Sequence, residues 1–173
     1  MSLCCTAMGS GQPCGKTEDV ASRISRDGKG GYRLRLPEEE REVLRSLPAQ
    51  LRALLETGDA SLERLFPPAY EDEEANAEYG SLVHDGLLAQ KLAALAVVEQ
   101  TVDADRIDEA QLTAWLGALE SLRLVLGSQL DVSEATYTEE LDERDPRAPA
   151  LALYGYLSWL QEQAVAALAA GLR

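Results

Sequence analysis

Residues 9–17 (GSGQPCGKT) end in Gly15-Lys16-Thr17 and invite a phosphate-loop reading, in which backbone N–H groups cradle phosphates and the lysine reaches them. That motif needs glycine five residues ahead of Gly15, where the chain has Ser10. No hydrophobic strand precedes the segment and no clear helix follows it, so nothing would hold the amides in a cradle. His84 is the single histidine, which leaves Cys4, Cys5 and Cys14 as the other soft metal ligands. Zinc takes four ligands, or three and a water, and the spacing of these cysteines matches no common finger. We therefore expect no metal and no cofactor. His84 is read as a residue that caps or breaks a helix. With 30 acidic side chains in 173 residues, carboxylate pairs arise by proximity alone and mark no catalytic dyad. No catalytic residue is assigned, and the chain is expected not to be an enzyme.

The thiols have chemistry of their own. Cys5 and Cys14 enclose eight residues, including Gly9 and Gly11, enough chain to close a disulfide under oxidation. A Cys4–Cys5 bond would be strained. The plain alternative is a set of incidental thiols in an unstructured leader, because no fixed positive charge beside them lowers a thiol pKa. Cys4, Cys5 and Cys14 stand as redox disulfide candidates. An odd, clustered set near one end is no framework for a secreted fold.

Charge narrows the partners. The formal net charge is −14 and the sequence pI about 4.4. Residues 1–36 hold six basic side chains against three acidic ones, so residues 37–173 carry −17. Nucleic-acid affinity comes largely from Lys and Arg neutralising phosphates, so direct DNA or RNA contact is not expected. A basic surface on a protein partner fits such a field. No window reaches the ~18 apolar residues of a membrane span, and the N-terminus lacks a secretory apolar core. A cytoplasmic location without membrane association is expected.

Positioning falls to a mainly α, α+β domain. Residues 1–19 read as a flexible tail and 20–173 as a single helical domain with an N-terminal hairpin. Two β-like runs, Val20–Ser25 and Tyr32–Leu36, flank an Asp27-Gly28 turn signal. Pro37 opens a first helix with Glu38, Glu39 and Glu40 in its first turn, Val43, Leu44, Leu47, Leu51, Leu54 and Leu55 along its apolar stripe, Pro48 as a kink, and Gly58 at its end. Ser61–Tyr70 reads as one helical turn, and Glu71–Glu74 as a solvated helix start. Residues 75–102 are helical with a break near His84–Gly86, burying Leu87, Leu88, Leu92, Leu95 and Val98. Asp108, Gln111, Ile107 and Leu112 spell an N-cap, its reciprocal partner and a hydrophobic staple for a helix running to Leu130. A last helix from Pro146 or Pro149 to about Ala170 has an apolar arc broad enough for a central helix. The sum is a hairpin packed on four or five helices, with no internal repeat.

Four segments in this order, Leu62–Tyr70 (LERLFPPAY), Lys91-Leu-Ala, Trp115–Gly127 (WLGALESLRLVLG) and Tyr154–Glu162 (YGYLSWLQE), resemble the signatures of the AosR-like family of actinobacterial oxidative-stress transcriptional regulators. The resemblance runs from about Gly31 to Leu168. It implies a regulator that binds an alternative sigma factor or another transcription component, linked to cysteine biosynthesis genes. Redox sensing in that family is tied to a C-x-x-x-C pair, where this chain has adjacent Cys4–Cys5 and the wider Cys5–Cys14. The family's gene neighbourhood suggests a second reading, an adaptor or accessory protein for Clp-type proteolysis. Trp115, Arg123 and Trp159 are the partner-binding candidates, with core packing the alternative for both tryptophans.

Overall fold

The computed structural model describes residues 22–66, 73–132 and 145–171, with only the backbone of Glu63 and of residues 73–83. Cys4, Cys5 and Cys14 lie outside them, as do Val20 and Pro67–Pro68. The Asp27-Gly28 signal makes a hairpin. Strand β1 (Ile24–Arg26) pairs antiparallel with β2 (Tyr32–Leu34), setting Ile24 against Leu34 and Arg26 against Tyr32. In the turn, Asp27 Oδ1 accepts the backbone N–H groups of Lys29 (2.8 Å) and Gly31 (3.0 Å). A third strand, β3 (Arg106–Ile107), was not expected. It lies on the far side of β2, antiparallel, with Ile107 opposite Tyr32 and Arg106 opposite Arg33. Alternation sends Ile24, Tyr32, Leu34 and Ile107 into the core and leaves Arg33 and Arg106 outside.

Helix α1 (Glu38–Thr57) follows Pro37 and carries three glutamates in its first turn, where the helix dipole favours them. It runs through Pro48 and stops at Gly58, whose φ of 64° is the left-handed conformation glycine adopts at little cost. The stripe differs from expectation at one end: Val43 is exposed, and Arg41 occupies the buried position one turn before Leu44. A 3₁₀ helix over Ala60–Leu65 supplies the expected turn and buries Leu62 and Leu65. Asp59 starts it, its Oδ1 accepting from Ser61 N and Oγ.

Helix α2 (Glu73–Thr101) is continuous, which corrects the expected break near His84–Gly86. Gly86 in mid-helix costs roughly 1 kcal/mol relative to alanine, too little to end a helix that Leu95 and Val98 anchor in the core. His84 neither caps nor breaks it; the exposed imidazole lies against Phe66, ring centroids 4.4 Å apart.

Helix α3 (Glu109–Gln129) begins with the expected reciprocal cap. Asp108 Oδ1 accepts from Gln111 N at 2.8 Å and Gln111 Oε1 from Asp108 N at 2.9 Å, while Ile107 and Leu112 are both buried. Helix α4 (Ala148–Ala169) has Pro149 in its first turn. It is not the central helix. That place belongs to α3, which packs on α1, α2, α4 and the 3₁₀ helix, whereas α4 packs mainly on α3 and β1 and leaves Val165 half exposed. Close approach of α3 and α4 depends on Gly127, where a Cβ would stand 3.1 Å from Tyr154 Cε2.

Candidate functional site

Of the three expected partner contacts, Trp115 is enclosed completely, which corrects its candidacy as an anchor. Its indole Nε1–H donates to Thr101 Oγ1 at 2.7 Å, and that hydroxyl donates to Val97 O at 2.6 Å. The polar tip of the largest core residue is thus satisfied inside the protein, as burial requires. A side chain with no accessible surface offers a partner nothing.

Trp159 is half-buried in the middle of α4. The Arg23 guanidinium lies 5.9 Å from its ring centroid, and Tyr156 packs beside it at 6.1 Å. Arg23 is held there by Glu40, which it grips at 2.8, 3.0 and 3.1 Å, and the Tyr156 hydroxyl donates to the same carboxylate at 2.8 Å. One charge-assisted network therefore joins the strand edge, α1 and α4, and covers one face of Trp159 with a cation of its own chain. Arg123, also half-buried, makes a similar contact over Tyr154, 6.0 Å from the ring centroid.

Burial first, then the Glu40 carboxylate that accepts its hydrogen bond, hold the Tyr156 phenol above its ordinary value of about 10. The folded state binds this proton more tightly than the unfolded chain does. Stability tied to the phenol is complete below about pH 10 and declines as pH rises further. Tyr156→Phe is expected to flatten the loss of unfolding free energy between about pH 9 and 11.5, followed by denaturant titration. Identical slopes in the two proteins would mean that the fold does not hold this proton.

Four aspartates among the described residues are held below the ordinary carboxylate range. Asp27 is held low by the Gly31 and Lys29 amides, Asp59 by the Ser61 hydroxyl, Asp103 by Arg45 and Asp145 by Arg147. Each stays ionised. Among the described residues no three His, Cys, Asp or Glu side chains gather as metal ligands.

A groove of about 520 Å³ lies between α2 and α3. Ala94 and Val97 of α2 and Ala110, Ala114 and Gly117 of α3 line it, and Leu87, 37% exposed, stands at one end. Short side chains keep the two helices from filling the space, and Lys91, Gln90, Thr113 and Glu120 give it a polar rim. Lys91 Nζ reaches Ser121 Oγ at 3.4 Å. None of Trp115, Arg123 and Trp159 lines the groove. The signal that would have found it is the spacing of Ala110, Ala114 and Gly117, four and three residues apart on one helical face.

Among the described residues the fold is mainly helical, α+β: a small three-stranded sheet packed against four α-helices, two of which leave a largely apolar cleft open. A family described as a domain of unknown function (DUF2017) matches residues 21–168, and the chain belongs to it. No curated protein and no solved structure matches the chain. No helix among the described residues is long and apolar enough to cross a membrane.

Proposed function

We propose that this protein is a non-enzymatic transcriptional regulator of the AosR-like kind, which acts by binding an alternative sigma factor and is gated by oxidation of Cys4, Cys5 and Cys14. The observation that carries the binding part is the α2–α3 groove, an apolar trough with a polar rim that fits the apolar face of a partner's helix. The charge of −17 on residues 37–173 favours a partner with a basic surface, and the DNA-facing side of a sigma factor is basic.

Two variants test this by affinity co-purification with and without a peroxide pulse. In Gly117→Gln the new side chain enters the groove; nothing lies within 4 Å of where its Cβ would stand, and leaving glycine behind in a helix gains roughly 1 kcal/mol. Its fold should therefore survive while sigma-factor recovery drops at least about tenfold, the equivalent of 1.4 kcal/mol of binding. The Cys4/Cys5/Cys14→Ser protein should lose the peroxide response and keep basal binding. Recovery of Clp components in place of a transcription protein would move the assignment to the proteolysis adaptor, and unchanged recovery with Gly117→Gln would remove the groove from the interface.

A further inference from the structure

In a chain with almost twice as many acidic as basic side chains, the solvent face of the sheet is the reverse. Arg33 and Arg35 alternate with the buried Tyr32, Leu34 and Leu36, so both project from the same side of one strand, roughly 7 Å apart. Arg106 is the cross-strand partner of Arg33. Together with Arg41 and Asp105 they line a cleft of about 430 Å³ that is separate from the α2–α3 groove.

The charges there do not cancel. Arg106 is paired with Asp27 and Arg41 with Asp105, which leaves Arg33 and Arg35. Among the described residues neither has a carboxylate within ion-pair distance. Arg33 stands opposite Arg106, whose charge Asp27 offsets, and about 7 Å along the strand from Arg35, a like charge that no carboxylate of the described residues offsets. A fold that tolerates that repulsion, with two positive charges in excess at a concave surface, is matched by a doubly charged anion seated between the guanidiniums. The walls are already fixed by the backbone: Leu34 N donates to Asp105 O at 2.9 Å and Arg35 N to Arg23 O at 2.8 Å. Forked donors of Arg33 and Arg35, with Arg106 beside them on the same cleft wall, suit a tetrahedral oxyanion, which can accept from several directions at once, better than a planar carboxylate that one fork satisfies.

We infer that the cleft between β2 and β3 is a binding site for a dianionic oxyanion of the phosphate class, held by Arg33, Arg35 and Arg106. This site is independent of the helix-binding groove and stands or falls without it.

The test is titration of inorganic phosphate into the full chain at constant ionic strength, with chloride as the replaced ion, followed by backbone amide NMR. Saturable shifts centred on Arg33, Arg35 and Arg106 are expected, together with a rise in melting temperature. Arg33→Gln/Arg35→Gln should bind at least about tenfold more weakly per guanidinium removed, while Arg52→Gln, whose partner Glu99 lies on α2, should bind as the parent does. Removing the repulsion should leave the double glutamine variant no less stable without phosphate. If that variant proves unstable, Arg33→Lys/Arg35→Lys keeps the charge and loses the forks, and should still show weakened binding. Shifts that do not saturate, or equal affinity in parent and variants, would overturn the site.

Discussion

Trp115→Ala is expected to lower the unfolding free energy by about 3–5 kcal/mol, the range for removing a large aromatic from a packed core. The side chain has no exposed surface and sits on α3, against which all the other helices pack. The loss has two parts that can be separated. Thr101→Val takes away only the acceptor of the indole N–H and should cost about 1–3 kcal/mol, because the buried donor is left unpaired. The double variant Trp115→Ala/Thr101→Val should then be less destabilised than the sum of the two, since the second change removes a partner already lost. Denaturant unfolding of the four proteins measures this. A loss under about 1 kcal/mol for Trp115→Ala would contradict the enclosed placement, since surface changes usually fall below that size.

Arg41→Met is expected to cost on the order of 3 kcal/mol. The guanidinium lies inside the protein and donates to Leu36 O at 3.0 Å, to Val102 O, and more weakly to Ala104 O at 3.4 Å. It joins the segment entering α1 to the end of α2, and without it these carbonyls are left with little to replace the donor, at about 1–3 kcal/mol for each one stranded. The ion pair with Asp105 is a different matter. Its carboxylate is 89% exposed and 3.3 Å away, so Asp105→Asn should change stability by less than about 0.5 kcal/mol. Comparable losses from the two substitutions would show that the charge, and not the carbonyl bonds, is what Arg41 contributes.

The elements that could be read in advance are those whose cause is local. Asp108 and Gln111 cap α3 with bonds that span three residues, and Gly58 ends α1 by its own backbone freedom. Strand β3 escaped because two residues carry no period and exist as a strand only when β2, some 70 residues earlier in the chain, supplies the ladder. The expected break at His84–Gly86 gave a weak local preference priority over the core contacts of α2. Arg41 was missed although its position was visible: counting back in threes from Leu47 and Leu44 lands on it, a charged residue in an apolar stripe. The network of Arg23, Glu40 and Tyr156 joins residues 17 and 116 positions apart, and no spacing rule reaches that far.

The sheet's edge strand is completed by α4 and its C-cap residue. Ser22 bonds Gln163 and the Arg26 guanidinium reaches the Ala170 carbonyl, contacts 141 and 144 residues apart. During synthesis at about 5–20 residues per second, the hairpin therefore leaves the ribosome roughly 7 to 29 s before α4 can cover it. For that interval Ile24, Tyr32 and Leu34 have no complete shelter, and the nascent chain exposes a short adhesive ribbon to whatever chaperone or neighbouring polypeptide is nearby.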